Sequence, residues 1–268
     1  MNAPPWLERT VLLLGEERVE RLRNARVLVA GLGGVGAYAA EMICRGGVGR
    51  MTIVDGDKIQ PGNRNRQLPA LKSTEGHRKA DVMAARLLDI NPALQLEIID
   101  EYIKDERLEE IVARGYDYVV DCIDTLSPKV FLIYNAVRLG MPVMSSLGAG
   151  GKMDPSQVRI DDISRSHHCR LGKMLRKRLH RLGIREGVTV VYSTEEVAKD
   201  SMIATEDEQN KKTVVGTISY MPPIFGCCCA SVVLRNLMGE ETLREETVDS
   251  SNAGSDHASA QQVKAKDE

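Results

Sequence analysis

Apolar residues along this chain fall into two patterns, short unbroken runs and stripes at helical spacing, and the two alternate. Val27–Ala30 is a run, followed by a glycine turn, an apolar helical stretch and a second run, MTIVD, ending at Asp55. Leu94–Ile99, Tyr116–Asp121 and Pro142–Leu147 are further runs of strand length. Between them lie helical stripes. Glu16–Asn24 precedes the first run, and His77–Ile90 carries Ala80, Met83, Ala84, Leu87 and Leu88 on one face. Asp105–Arg114 is a third, and a fourth is capped at Ser127-Pro128 and runs through Leu139. Unbroken runs suit strands covered on both faces, and the helices supply the crossovers between them. The pattern predicts an α/β fold, a doubly wound, mostly parallel Rossmann-like sheet, as a nucleotide-binding core over residues 1–150.

Past Gly148-Ala149-Gly150-Gly151 the alternation breaks, and residues 151–245 form a C-terminal α/β extension on the substrate side of the same domain. Val158–Ile163 and Val188–Ser193 read as strands, and Arg170–Leu182 as a helix with an apolar stripe of Leu171, Met174 or Leu175, Leu179 and Leu182. Glu195–Lys212 is polar and without pattern, and Ile218–Met238 returns to the core. Thr213–Leu234 carries no charge, but Pro222-Pro223 breaks it below the roughly 20 residues a membrane span requires. A buried strand, turn and helix is the expectation there. Residues 246–268, almost free of large apolar side chains, read as a disordered tail.

The first turn, Gly31-Leu32-Gly33-Gly34-Val35-Gly36, has the spacing of a dinucleotide-binding βαβ unit. Gly31 allows the tight turn, Gly33 lets a phosphate approach the backbone beside Gly34, and Gly36 lets the helix pack on the strand. Free N–H groups at the helix start face an anion. Asp55 falls about 20 residues on, where a carboxylate accepts hydrogen bonds from a ribose. Further polar groups follow strands: the loop from Asn63 to Gln67, Lys79 at a helix start, and Asp124 after YVVDCID. Asp124 suits a Mg²⁺ ligand, and Arg66 and Lys79 supply the positive charge that a triphosphate needs.

Composition narrows the partners. The 268 residues carry a formal net charge of −2, so nucleic-acid binding must rest on a local patch. One exists: Arg165, Arg170, Lys173, Arg176, Lys177, Arg178, Arg181 and Arg185 follow one another without an intervening acid. They are candidates for contact with a phosphate backbone. The six cysteines, Cys44, Cys122, Cys169 and Cys227-Cys228-Cys229, form no CxxC pair, which argues against structural zinc. The N-terminus shows charge before any apolar stretch, so a cytoplasmic location is expected, with peripheral membrane contact as a minor alternative.

Together the motifs resemble the ubiquitin-activating, ThiF-like adenylating superfamily. They are GLGGVG at Gly31–Gly36, Asp55 with Asp57, N-x-x-R-Q from Asn63 to Gln67, Lys79, and D-x-x-D from Asp121 to Asp124. The blocks RTVLLLGEE, NRNRQLPAL, SSLGAGGKMDPSQV, KMLRKRL, VVYSTE and GTISYMPPIFG are similar to the branch of tRNA threonylcarbamoyladenosine dehydratases. That resemblance implies ATP and Mg²⁺ as cofactors, leaves room for a monovalent cation, and implies tRNA carrying threonylcarbamoyladenosine as substrate. It implies that Asp55 holds the ribose, that Asn63 and Arg66 contact the phosphates, that Lys79 neutralises them and that Asp124 holds the metal. It also implies a homodimer in which an N-terminal arginine, Arg9, reaches the partner's site, and a cysteine desulfurase as a further partner. The competing readings are an adenylyltransferase for a ubiquitin-like sulfur carrier, an NAD-dependent dehydrogenase, and a nucleotide-dependent scaffold.

Overall fold

A computed structural model describes residues 3–198, 202–204 and 213–240. Its centre is a seven-stranded sheet in the order β3-β2-β1-β4-β5-β7-β6. The strands are β1 (Arg26–Ala30), β2 (Arg50–Val54), β3 (Gln95–Ile99), β4 (Tyr118–Asp121), β5 (Val143–Ser146), β6 (Val158–Asp162) and β7 (Thr189–Ser193). All pairings are parallel except β6 against β7. The helices are α1 (Glu8–Leu14), α2 (Glu16–Asn24), α3 (Gly36–Arg45), α4 (Lys79–Ile90), α5 (Asp105–Val112), α6 (Leu126–Arg138), α7 (Arg170–Arg181) and α8 (Met221–Leu237). The doubly wound expectation holds: along β1, Val27 and Val29 enter one core while Leu28 and Ala30 enter the other. The period-two alternation of a strand thus feeds two apolar layers.

One layer holds α3, α4 and α8, and the other α5, α6 and α7. The α3–α8 contact is unusually close: a Cβ at Gly226 would stand 2.5 Å from the Val35 carbonyl oxygen and 2.8 Å from the Tyr38 Cβ. This packing corrects the expectation for Pro222-Pro223. The prolines open α8 in its first turn, where their missing N–H groups have no helical partner to lose, so the helix runs on past them.

Other boundaries differ for local reasons. Helix α4 begins at Lys79 rather than His77, because Arg78 is extended as its N-cap. Helix α6 is capped at Thr125, placing Ser127 and Pro128 inside its first turn. On α7, Leu175 and Leu179 are buried while Met174 and the C-cap Leu182 are exposed. Within the polar segment read as patternless, Met202–Ala204 is a strand, β8, paired antiparallel with Thr213–Val215, β9. The buried strand expected at the head of the Thr213–Leu234 stretch is therefore half of a separate ribbon. The tail expected at 246–268 lies outside the described residues. Among the described residues no helix is long and apolar enough to cross a membrane.

Candidate active site

Strand order reverses direction between β1 and β4, and in an open parallel sheet the crevice at that switch point is where ligands bind. The glycine turn leaves β1 there, and the Asp121–Asp124 turn leaves β4 beside it. Gly31 has φ +90°, and a Cβ on it would meet the Cys122 carbonyl oxygen at 2.8 Å. A Cβ at Gly36 would stand 1.8 Å from the Gly31 oxygen, so both positions exclude any side chain. Gly33 meets nothing closer than the Gln67 amide nitrogen at 3.9 Å, leaving the open approach a phosphate needs. Gly34 instead faces inward, its Cβ position 2.9 Å from the Pro222 Cβ, and so seats the start of α8.

Asp55 closes the turn from beneath. Its carboxylate accepts hydrogen bonds from the Leu32 N–H at 2.6 Å and the Asp57 N–H at 2.8 Å. Burial raises its pKa, and the Lys79 charge and these N–H donors oppose the shift. Lys79 is only 4% exposed, and its ammonium donates to Asp57 at 2.6 Å, while the Tyr102 hydroxyl donates to the other Asp57 oxygen. The family resemblance implies that Lys79 neutralises the phosphates. The structure buries its ammonium against the half-exposed Asp57 carboxylate, with its charge also acting on Asp55.

The loop after β2 delivers the remaining polar groups. Asn63 accepts from the Gln60 N–H at 2.9 Å and its carbonyl receives the Gln67 N–H at 2.9 Å, which fixes the loop by its own side chains. Arg66 donates to the Gly62 carbonyl and to Asn65, at 3.0 and 2.8 Å. Gln67 is buried, and its side-chain oxygen has no protein partner. A buried unsatisfied acceptor costs on the order of 1–3 kcal/mol, and the nitrogen of the same amide is the nearest atom to the open face of Gly33.

Asp121 and Asp124, equivalent in the sequence motif, have different environments. Asp121 is fully buried and accepts from the Lys129 ammonium at 2.7 Å, the Ser145 hydroxyl at 2.7 Å and the Ile123 N–H at 3.1 Å. Burial pushes its carboxyl pKa up against the pull of Lys129. Asp124 is exposed three residues on. Among the described residues no group of three His, Cys, Asp or Glu side chains could hold a metal ion. One exposed carboxylate fits Mg²⁺, which uses one or two carboxylates and takes its other ligands from phosphates and water.

The ThiF family model matches residues 7–267. This chain belongs to the ThiF family. It is similar to the tRNA threonylcarbamoyladenosine dehydratase of Bacillus subtilis, 42% identical over 237 residues, which span 86% of this chain and 93% of that protein. In structure it is similar to the Escherichia coli tRNA N6-threonylcarbamoyladenosine dehydratase in complex with ATP. The TM-score is 0.80 at 31% identity, covering 89% of this chain and 97% of the other. The same Escherichia coli enzyme in complex with AMP matches with a TM-score of 0.80 at 32% identity, over 89% and 98% of the two chains.

Two further groups of expected site residues, Arg9 from the family resemblance and the basic run of α7, lie outside the glycine turn and the Asp121–Asp124 turn. Leu7, just before α1, lines one cavity with Gly49, Arg50 and Gln95, which stand at the N-terminal ends of the strands. Arg9 follows on α1, exposed, so a single chain does not bring it to the glycine turn at the opposite strand ends. On α7, Arg170, Lys173, Lys177, Arg178 and Arg181 are exposed, whereas Arg176 is half-buried and bound to the Ser166 hydroxyl at 2.5 Å. Cys169 is the helix N-cap, its sulfur accepting from the Gly172 N–H at 3.4 Å. Lys129 and Tyr102 were missed by the sequence reading. The signal for Lys129 was its place in the apolar stripe of α6, four residues before Ile133.

Proposed function

We propose that this chain is an ATP-dependent, AMP-forming tRNA-modifying enzyme that dehydrates N6-threonylcarbamoyladenosine beside the anticodon to its cyclic form. One observation carries the reading: near-full-length similarity to a dehydratase described in complex with ATP, in a chain whose own crevice has a glycine turn and an acid at nucleotide-binding spacing. The Asp55 carboxylate accepts from the ATP ribose, and the open face of Gly33 with the first N–H groups of α3 receives the phosphates. Arg66 stands at the loop where charge develops on the leaving group. Asp124 would hold Mg²⁺, which when bound draws charge from the triphosphate.

The threonyl carboxylate oxygen attacks the α-phosphorus and the bond to the β-phosphate oxygen breaks, releasing pyrophosphate. The carbamoyl group then attacks the activated acyl carbon, loses a proton and expels AMP. Both reacting groups belong to one substrate, so the second step gains from proximity and needs no protein nucleophile. The exposed basic face of α7 contacts the RNA backbone. Arg9 completes the site of a second copy, an arrangement supported by Leu12 and Leu13, 88% and 81% exposed on the same helix.

The test is incubation with ATP, Mg²⁺ and tRNA carrying threonylcarbamoyladenosine, followed by nucleoside mass spectrometry. A product lighter by one water, with AMP released only when RNA is present, is expected. Asp124→Ala and Arg66→Ala should abolish it. AMP release that ignores RNA, or adenylation of a sulfur-carrier C-terminus instead, overturns the reading.

A further inference from the structure

Between the crevice and the first turn of α7 lies an apolar surface that the adenylation chemistry does not use. Met153, Ile218 and Tyr220 are 63%, 41% and 40% exposed. The surface is built rather than loose. The Tyr220 hydroxyl donates to the Met153 carbonyl at 2.8 Å, and the Glu195 carboxylate accepts the Met153 N–H at 2.9 Å. Behind it, the Gly151 N–H donates to the Gly216 carbonyl at 2.7 Å.

Its two flanks are tied to the two charged regions. On the nucleotide side, Asn65, the partner of Arg66, donates to the Thr217 carbonyl at 2.9 Å, and Pro222 packs against Gly34. On the other side, Lys152 donates to the His168 carbonyl at 3.3 Å, one residue before the N-cap of α7, where Arg170 and Lys173 are exposed. An RNA loop whose backbone follows α7 and whose reacting nucleoside enters the crevice must cross this surface. Bases in such a loop are unstacked and splayed, and aromatic faces recover their stacking energy.

We propose that Tyr220, with Met153 and Ile218, is a stacking platform for an unpaired nucleobase neighbouring the reacting adenosine. The assignment rests on the RNA reading above and adds to it a base-binding subsite. The Tyr220 hydroxyl bond holds the ring at a fixed angle before RNA arrives, which lowers the ordering cost of binding.

The probe is an anticodon stem-loop carrying threonylcarbamoyladenosine, with 2-aminopurine placed on one or the other side of it. Binding to the wild-type chain should quench the fluorescence from one of the two positions. Tyr220→Phe, which keeps the ring, should keep the quenching. Tyr220→Ala should lose it and bind the stem-loop about tenfold more weakly, while its ATP affinity, measured separately, shows the fold intact. Stem-loop binding without quenching, or equal quenching by Tyr220→Ala, overturns the platform and leaves the RNA reading standing. A changed oligomeric mass for Tyr220→Ala with quenching retained does the same and assigns the surface to a second copy. Failure of the wild-type chain to bind the stem-loop overturns both.

Discussion

The crevice between β1 and β4 and the outer face of α7 are both polar, and they are polar in opposite ways. In the crevice, three acids are partnered and at least half-buried: Asp121 with Lys129, Asp57 with Lys79, Asp55 with two backbone N–H groups. On α7 five basic side chains stand in solvent without an acid among them, and Arg170 and Lys173 sit in or beside the first turn, where the helix dipole disfavours cations. The first arrangement sets positions before a ligand comes. The second sets only a field, whose strength depends on salt. A small substrate needs the former and a long polyanion the latter.

The contrast is broken most severely at Lys129. Lys129→Met leaves the Asp121 carboxylate buried with Ser145 and one N–H, and removing one partner of a buried pair costs about 3–5 kcal/mol. Urea unfolding at neutral pH checks this. The sign with pH follows from the raised Asp121 pKa: in the variant the folded state holds the proton more tightly than the unfolded chain. The penalty is therefore present at neutral pH and shrinks as pH falls toward the ordinary carboxylate range. A loss that is independent of pH counts against the buried-charge account.

The outer face breaks differently. Replacing Lys173, Lys177, Arg178 and Arg181 together with alanine should leave stability and ATP affinity unchanged. The slope of log affinity for RNA against log salt should become shallower by about 0.7–0.9 per lost phosphate contact. An unchanged slope, measured by filter binding across a salt series, would make α7 a solvated helix and nothing more.

The two regions also differed in how far the sequence revealed them. The glycine turn, Asp55 and the alternating strands and helices are local patterns, and each appears where the spacing put it. The partners of the crevice are distant in sequence: Lys129 reaches Asp121 across eight positions, and Tyr102 reaches Asp57 across forty-five. Polar residues read one at a time do not announce such pairs. The β8–β9 ribbon escaped for a related reason, since three-residue strands set in polar surroundings have no periodicity to count. On α7 the charge was plain in the sequence, but the burial of Arg176 against Ser166 was not. Arg9 was legible as a motif, while its place at the far end of the strands needed the fold.

A smaller effect sharpens the picture inside the crevice. Because burial raises the Asp55 pKa, its carboxylate takes up a proton at a higher pH than an ordinary aspartate. ATP affinity should therefore weaken on acidification earlier than a free carboxylate would dictate, by about tenfold per pH unit below the titration. Calorimetric titration from neutral to mildly acid pH measures it. Asp55→Asn should bind weakly at all pH values and lose the step, and a step that survives in that variant belongs to another group.

The smallest effect lies at Cys169, the N-cap of α7. If ring closure is intramolecular, this thiol has no covalent part in it. The observed role is structural: its sulfur caps α7, and it stands 3.6 Å from the Cβ position of Gly148. Cys169→Ala should then cost about 0.5–1 kcal/mol of stability, the lower end of an N-cap loss, and Cys169→Ser, which retains a capping acceptor, should cost less. Neither should change the single-turnover rate of water loss more than about twofold. A nucleophile would behave otherwise, since removing a covalent catalyst lowers the rate by several orders of magnitude while leaving ATP affinity in place. A rate collapse in Cys169→Ser with the fold and ATP binding intact would mean that the acyl group passes through the protein, and the start of α7 would then supply a catalytic residue as well as a basic face.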